Sequence, residues 1–150
     1  MKLVALLSLI SSSVFAAQIS PEMAERLIQE AKSAQKRAYA PYSEYFVGAA
    51  VLTKSGKIYS GCNVENAAYC LGNCAERTAI FKAVSEGERE ILAVAVITRD
   101  GGFCCGACRQ VLNEFNPKMV VICASEMNDH YQIHTLDELL PRAFGPENLK

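Results

Sequence analysis

Ile91-Leu92-Ala93-Val94-Ala95-Val96-Ile97-Thr98 is the stretch that decides the fold. A nearly unbroken apolar run of this length marks a strand buried on both faces. Helices are expected on either side of it. Upstream, the spacing of Ala75, Ala79, Ile80, Ala83 and Val84 predicts a helix from Cys74 to about Glu86, ended by Gly87. Downstream, Asp100-Gly101-Gly102 reads as a loop. A second helix is expected to open near Cys105, to face the core with Val111, Leu112 and Phe115, and to stop at Pro117. Met119 to Ala124 repeats the buried-strand pattern. Farther out, Ser20-Pro21-Glu22 combines a capping hydroxyl, a first-turn proline and an acid at the positive end of a helix dipole. Met23, Leu27, Ile28, Ala31 and Ala34 carry that helix towards Ala40, before Pro41. Phe46 to Leu52 and Ile58 to Val64 read as strands joined by the turn Lys54-Ser55-Gly56-Lys57, a hairpin. A short extended piece is expected at Tyr131 to His134 and a last helix at Leu136 to Leu140. Helices alternating with buried strands predict a layered α/β domain.

Composition bounds the partners. The 150 residues suit one domain, and 51% hydrophobic residues supply a core. The net charge is −1 and the sequence pI about 6.1. There is no run of Lys or Arg, which argues against a nucleic-acid partner and for a small-molecule substrate. Residues 1–16 have the pattern of a secretory signal peptide: Lys2, an uncharged stretch from Leu3 to Val14, and the small residues Val14 and Ala16 at the positions a signal peptidase reads. Cleavage after Ala16 would leave a domain over 17–150 and a secreted protein. A retained leader would be an apolar helix packed on the domain of a cytoplasmic protein. The stretch is short for a permanent membrane span, so no membrane association is expected once the leader is removed.

Seven cysteines are many for this length. Cys105-Gly106-Ala107-Cys108 places two thiols on one turn, where both can reach one ion. Alone, that pair also fits a redox dithiol or half of a structural zinc site. Cys74 lies at another expected helix start. With it, three protein ligands leave one position free for water, the arrangement of catalytic zinc. Helix starts favour the thiolates that zinc requires. Three thiolates and one Zn²⁺ sum to −1, so a nearby cation is expected. Arg77 and Arg109 are the candidates, Arg77 first, against an ordinary role on a helix surface. Glu76 follows Cys74 by two residues. It is either a first-turn acid that suits the dipole or a carboxylate beside the zinc site's water. Zinc lowers the pKa of such a water towards about 7, and a carboxylate within hydrogen-bond reach takes its proton.

Cys74-Ala75-Glu76 followed by Cys105-Gly106-Ala107-Cys108 resembles the motif of the cytidine/deoxycytidylate deaminases: Cys or His, Ala-Glu, then Pro-Cys-x-x-Cys. The likeness extends through Ala40-Pro41-Tyr42-Ser43, Phe46-Val47-Gly48-Ala49-Ala50 and Gly61-Cys62-Asn63-Val64-Glu65-Asn66-Ala67-Ala68-Tyr69. It continues in Cys74-Ala75-Glu76-Arg77-Thr78-Ala79, Cys108-Arg109-Gln110-Val111, Leu139-Leu140-Pro141 and Phe144-Gly145-Pro146. It covers Ser20 to the C-terminus and is similar to the small homotetrameric members. The resemblance implies a three-layer α/β/α domain with a central mixed sheet, one zinc per subunit and a homotetramer. It also implies hydrolytic deamination of cytidine and deoxycytidine, a pyrimidine-salvage reaction. Glu76 would shuttle the proton, as in that class, and bond ring N3. Asn63 and Glu65 would hold the ribose hydroxyls, with Asn66 and Ala67 in the same substrate-binding segment. Phe46 would stack on the pyrimidine. The backbone at Ala75 and Cys105 would position the base. Tyr69 and Phe144 would lie at subunit contacts, with Phe144 reaching a neighbour's site. Without the resemblance, the three aromatics read as core packing and Asn63 and Glu65 as a strand end.

Cys104 departs from the pattern, standing where Pro is usual. It frees the loop and adds a nearby thiol. Cys62, Cys70, Cys104 and Cys123 remain after the three ligands. They could form disulfides in an oxidising compartment, but buried free cysteines are the preferred reading. Two other functions are weighed. A nucleic-acid cytosine deaminase would need a basic groove and commonly uses His as the first ligand. A secreted, inactive deaminase-fold binding protein would have no need of Glu76.

Overall fold

The computed structural model describes residues 19–149. The expected signal peptide lies outside them. Helix α1 spans Pro21–Gln35, and strands β1 (Gly48–Thr53) and β2 (Ile58–Cys62) follow as a hairpin. Helix α2 is Ala75–Ser85, β3 is Ile91–Thr98, α3 is Gly106–Phe115 and β4 is Val120–Ser125. Strand β5 (Tyr131–Thr135) and the short α4 (Leu136–Leu139) complete the described chain, with 3-10 turns at Tyr69–Leu71 and Pro146–Leu149. The sheet order is β2-β1-β3-β4-β5. Strand β3 runs parallel to β4, and the remaining neighbours are antiparallel. The sheet is therefore mixed, as expected.

Side-chain alternation builds the three layers. Ala93, Ala95 and Ile97 of β3 face α1, whose Ala24, Leu27, Ile28 and Ala31 are buried against them. Val94 and Val96 face the other way, into a core shared with Ala79, Ile80 and Ala83 of α2 and Leu112 of α3. The helix ends follow local chemistry. Met23 N–H donates to Ser20 Oγ at 3.2 Å, which caps α1. Gly87 just beyond α2 has φ +94°, a value a Cβ would oppose.

Several boundaries differ from expectation. Helix α1 ends at Gln35, short of Ala40, because the following chain has a tertiary partner. Tyr39 N–H donates to Asn63 O at 3.0 Å, and Glu65 N–H to Tyr39 O at 2.8 Å. Those bonds need extended backbone. Strand β1 begins at Gly48 rather than Phe46, and β2 ends at Cys62 rather than Val64. In β3, Leu92 is exposed at the open start of the strand. Cys62, Cys70, Cys104 and Cys123 are all free. Cys104 and Cys123 are buried, Cys62 is half-buried and Cys70 is exposed on a 3-10 turn, so the expectation of burial fails for Cys70. No helix among the described residues is long and apolar enough to cross a membrane.

Gly48 is where α1 presses on the sheet. A Cβ there would lie 1.9 Å from Ala31 O and 2.8 Å from Gln35 Cβ. Relieving such a clash means moving backbone, and overpacking of this kind costs about 1–3 kcal/mol. Gly48→Ala is expected to lower the unfolding free energy by that amount, read by circular dichroism as a lower urea midpoint with an unchanged slope.

Candidate active site

Cys74 is the N-cap of α2 and Cys105 the N-cap of α3, and neither side chain caps its own helix. Both thiols are thereby left for another partner. Cys108 follows on the first turn of α3. The three sulfurs lie within 4.8 Å of one another, with Cys74 Sγ and Cys105 Sγ 4.0 Å apart. Zinc–sulfur bonds of about 2.3 Å hold tetrahedral sulfurs a little under 4 Å apart, so the trio fits zinc after a slight contraction. Among the described residues, no other His, Cys, Asp or Glu joins the group, so a fourth position stays open. Two helix N-termini aim their positive ends at it.

The charges agree with a metal site. Cys74 is pulled down to about 5, first by the Cys108 thiol that hydrogen-bonds to it and then by Arg77, against the effect of burial. Cys108 moves upward as the proton-keeping partner. Arg77 Nη2 donates to Cys74 Sγ at 3.6 Å, so Arg77 is the cation beside the ligands. Arg109 turns elsewhere. Its Nε donates to Cys104 O at 2.7 Å and its Nη1 to Leu139 O at 2.9 Å, which pins the loop ahead of Cys105 to the end of α4. Cys104 itself is buried in the core outside the sulfur trio, so the ligand set expected from spacing holds together.

Glu76 is only 4% exposed, on the first turn of α2. Burial pushes its carboxyl above the usual range, and the negative charge of Cys74 adds to the push. It lines a cleft of about 300 Å³ together with Cys74, Cys105, Ala75, Asn63 and Glu65. Asn63 is partly committed: its Nδ2 donates to Tyr45 O and its Oδ1 accepts from Val47 N–H, both at 2.8 Å. Glu65 accepts the Tyr42 N–H at 2.9 Å and the Ser43 hydroxyl. The Ser43 hydroxyl and then the Tyr42 amide hold its carboxyl below the usual range.

Phe46, expected to stack on the pyrimidine, does not line the cleft. It sits in a separate surface hollow with Tyr39, Pro41 and Glu44, and the aromatic that lines the cleft from this segment is Tyr45. Period-two alternation explains this, because Tyr45 and Val47 share a side and Phe46 points opposite. Asn66 and Tyr69 line a neighbouring hollow with Tyr42, Ser43 and Glu65. Ala67 is exposed next to them. Phe144 is 59% exposed, with its carbonyl accepting from Gln110 and Asn113, and does not line the cleft. None of the three aromatics is in the core. Thr98, Gly102 and Phe103 carry no motif of their own and complete the cleft wall. Their signal was positional: they begin where the buried strand ends.

A three-thiol metal site with an open corner and a buried carboxylate, set on an α/β/α sandwich, defines a metal-dependent hydrolytic enzyme class. This chain belongs to the cytidine and deoxycytidylate deaminase family, whose zinc-binding region matches residues 21–124. The cytidine deaminase of Sporosarcina psychrophila is 48% identical over 127 residues, 83% of this chain and 93% of that protein. The cytidine deaminase of Halalkalibacterium halodurans is 47% identical over 127 residues, 83% of this chain and 96% of that protein. The crystal structure of cytidine deaminase from Burkholderia pseudomallei superposes with a TM-score of 0.76 at 46% identity, covering 80% of this chain and 98% of that one.

A thiolate reacts with alkylating agents and a thiol does not. In metal-free protein, alkylation of Cys74 is expected to titrate near pH 5, against about 8.5 for an ordinary cysteine. The reaction should persist above that midpoint and fade below it. Arg77→Gln should move the midpoint upward and weaken zinc binding roughly 10- to 100-fold. Peptide mass mapping reads the first and a chelator competition the second.

Proposed function

We propose that this chain deaminates cytidine and deoxycytidine hydrolytically, giving uridine or deoxyuridine and ammonia. The observation that carries the reading is Glu76, buried in one cleft with Cys74 and Cys105, whose sulfurs gather with that of Cys108. Cys74, Cys105 and Cys108 would hold the zinc, which would supply a Lewis acid able to bring a water's pKa towards about 7. Glu76 takes the proton released there and donates to ring N3, which makes C4 more electrophilic. As the water oxygen bonds to C4, its second proton remains on the new hydroxyl; Glu76 takes that proton and hands it to the amino group, whose bond to C4 breaks to release ammonia. A carboxyl raised by burial suits both directions of transfer near neutral pH. Arg77 offsets the excess negative charge of three thiolates. The backbone at Ala75 and Cys105 positions the base. Tyr45 replaces Phe46 as the aromatic beside it. Asn63 and ionised Glu65 take the ribose hydroxyls, with Asn66 and Ala67 extending that side.

The cleft favours a nucleoside over a nucleotide. Glu65 and Glu76 line it, and no Lys or Arg does among the described residues. A 5′-phosphate entering there meets carboxylate without a compensating cation. The same absence weighs against a nucleic-acid substrate. The intact Glu76 weighs against an inactive binding protein.

The assembly in this reading is a homotetramer. Phe46, Tyr69 and Phe144 are exposed by 46%, 80% and 59%, apolar surface that other copies would cover, with Phe144 reaching a neighbour's site. Export after cleavage at Ala16 belongs to the same reading, supported by Lys2 and the uncharged stretch that follows.

Glu76→Gln is expected to cut kcat by roughly 10²- to 10⁴-fold, the contribution of a general acid–base, while zinc content stays the same. Loss of cytidine absorbance and metal analysis on one sample measure both. Near-normal turnover in that variant would remove the reading. Deoxycytidine 5′-monophosphate is expected to react at least about tenfold less efficiently than deoxycytidine, from uncompensated charge in the cleft. Comparing kcat/KM for the two checks this.

A further inference from the structure

One contact at the edge of the cleft takes no part in the proton transfers. Tyr45 leads into β1, and Asp100 sits in the loop after β3, the strand paired with β1. The Tyr45 hydroxyl donates to Asp100 Oδ1 at 2.6 Å. The same oxygen accepts from Thr98 Oγ1 at 3.3 Å, and Thr98 Oγ1 accepts the Gly102 N–H at 2.8 Å. The Arg99 guanidinium lies 5.9 Å from the Tyr45 ring centre. Tyr45 is also tied at its backbone. Its N–H donates to Ser43 Oγ at 3.1 Å, and its carbonyl accepts from Asn63 Nδ2 at 2.8 Å. The fit against the hydroxyl is close: a Cβ on Gly102 would lie 3.0 Å from the Tyr45 oxygen.

Tyr45, Thr98 and Gly102 line the cleft with Glu76, while Asp100 does not. Asp100 thus stands behind the wall and holds it. We propose that Asp100 is a positioning residue: through the Tyr45 hydroxyl it clasps the Tyr45 ring to the loop after β3 and fixes where that ring stands against the bound pyrimidine. The Tyr45 hydroxyl is also the first cause that keeps the Asp100 carboxyl below its usual range. Asp100 is therefore an ionised, strong acceptor at neutral pH. The inference rests on the deaminase reading and adds a determinant to the same site.

A clasp that touches none of the reacting atoms acts on binding, so its loss falls on KM rather than kcat. Tyr45→Phe keeps the ring and removes the hydroxyl. Asp100→Ala removes the acceptor from an exposed loop position. Each is expected to raise KM for cytidine roughly three- to tenfold, the range of one hydrogen bond, with kcat within about twofold. The double variant should be no worse than either single one, because all three lack the same bond. Asp100→Asn retains an acceptor oxygen and should recover part of the loss. Calorimetric titration with uridine, which needs no turnover, should weaken in parallel, with zinc content constant. An unchanged KM in Asp100→Ala, additive losses in the double variant, or a fall in kcat equal to that in kcat/KM would each overturn the clasp. Failure of the wild-type protein to deaminate cytidine would instead overturn the deaminase reading. Normal wild-type activity with unmoved variants would overturn the clasp alone.

Discussion

Three sulfurs gathered within 4.8 Å form the constraint around which the rest is arranged. Thiolates at such distances repel one another by about 4 kcal/mol per pair at an effective dielectric of 20. They stay together only where positive charge or protons gather with them. This fold supplies the positive charge from two helix N-termini and from Arg77. It also isolates Glu76, whose burial and nearness to Cys74 both raise its carboxyl. The thiols and the carboxyl beside them are therefore coupled through Cys74, with burial the larger influence on Glu76.

The sheet exists to bring those helix starts together. Strand β3 runs parallel to β4, so α3 must cross over between them, which places its start at the carboxyl end of β3. Helix α2 reaches the same end by packing on β1 and β2. Its approach is close because a Cβ on Gly61 of β2 would lie 2.6 Å from Ala79 N. Small residues in the strands thus decide how near Cys74 comes to Cys105. The walls of the cleft are then finished by loop contacts. Asn63 ties the segment before β1, and the Asp100 loop ties it a second time.

The buried strand at Ile91–Thr98, the hairpin and the two cysteine-headed helices were legible because apolar periodicity and turn residues act locally. The metal trio was legible because both of its halves carry chemistry that a helix start explains. What failed to show was governed by partners distant in sequence. Ala40 continued a helical pattern, yet Tyr39 is drawn into pairing with Asn63 and Glu65. Phe46 had the right residue type, but only the register of the chain entering β1 turns Tyr45 inward instead. Arg77 and Arg109 both follow ligands, and nothing local distinguishes the one that meets sulfur from the one that meets carbonyls.

By itself, the sequence determined the alternation of elements and marked the thiols at two helix starts and the acid beside one of them. Each depends on residue type and spacing within a turn or two of helix. Tertiary structure alone decided which aromatic faces the cleft, which arginine balances the thiolates, and that Asp100 reaches Tyr45. Those outcomes depend on distances between segments far apart in the chain, and only the packing of helices on the sheet sets such distances.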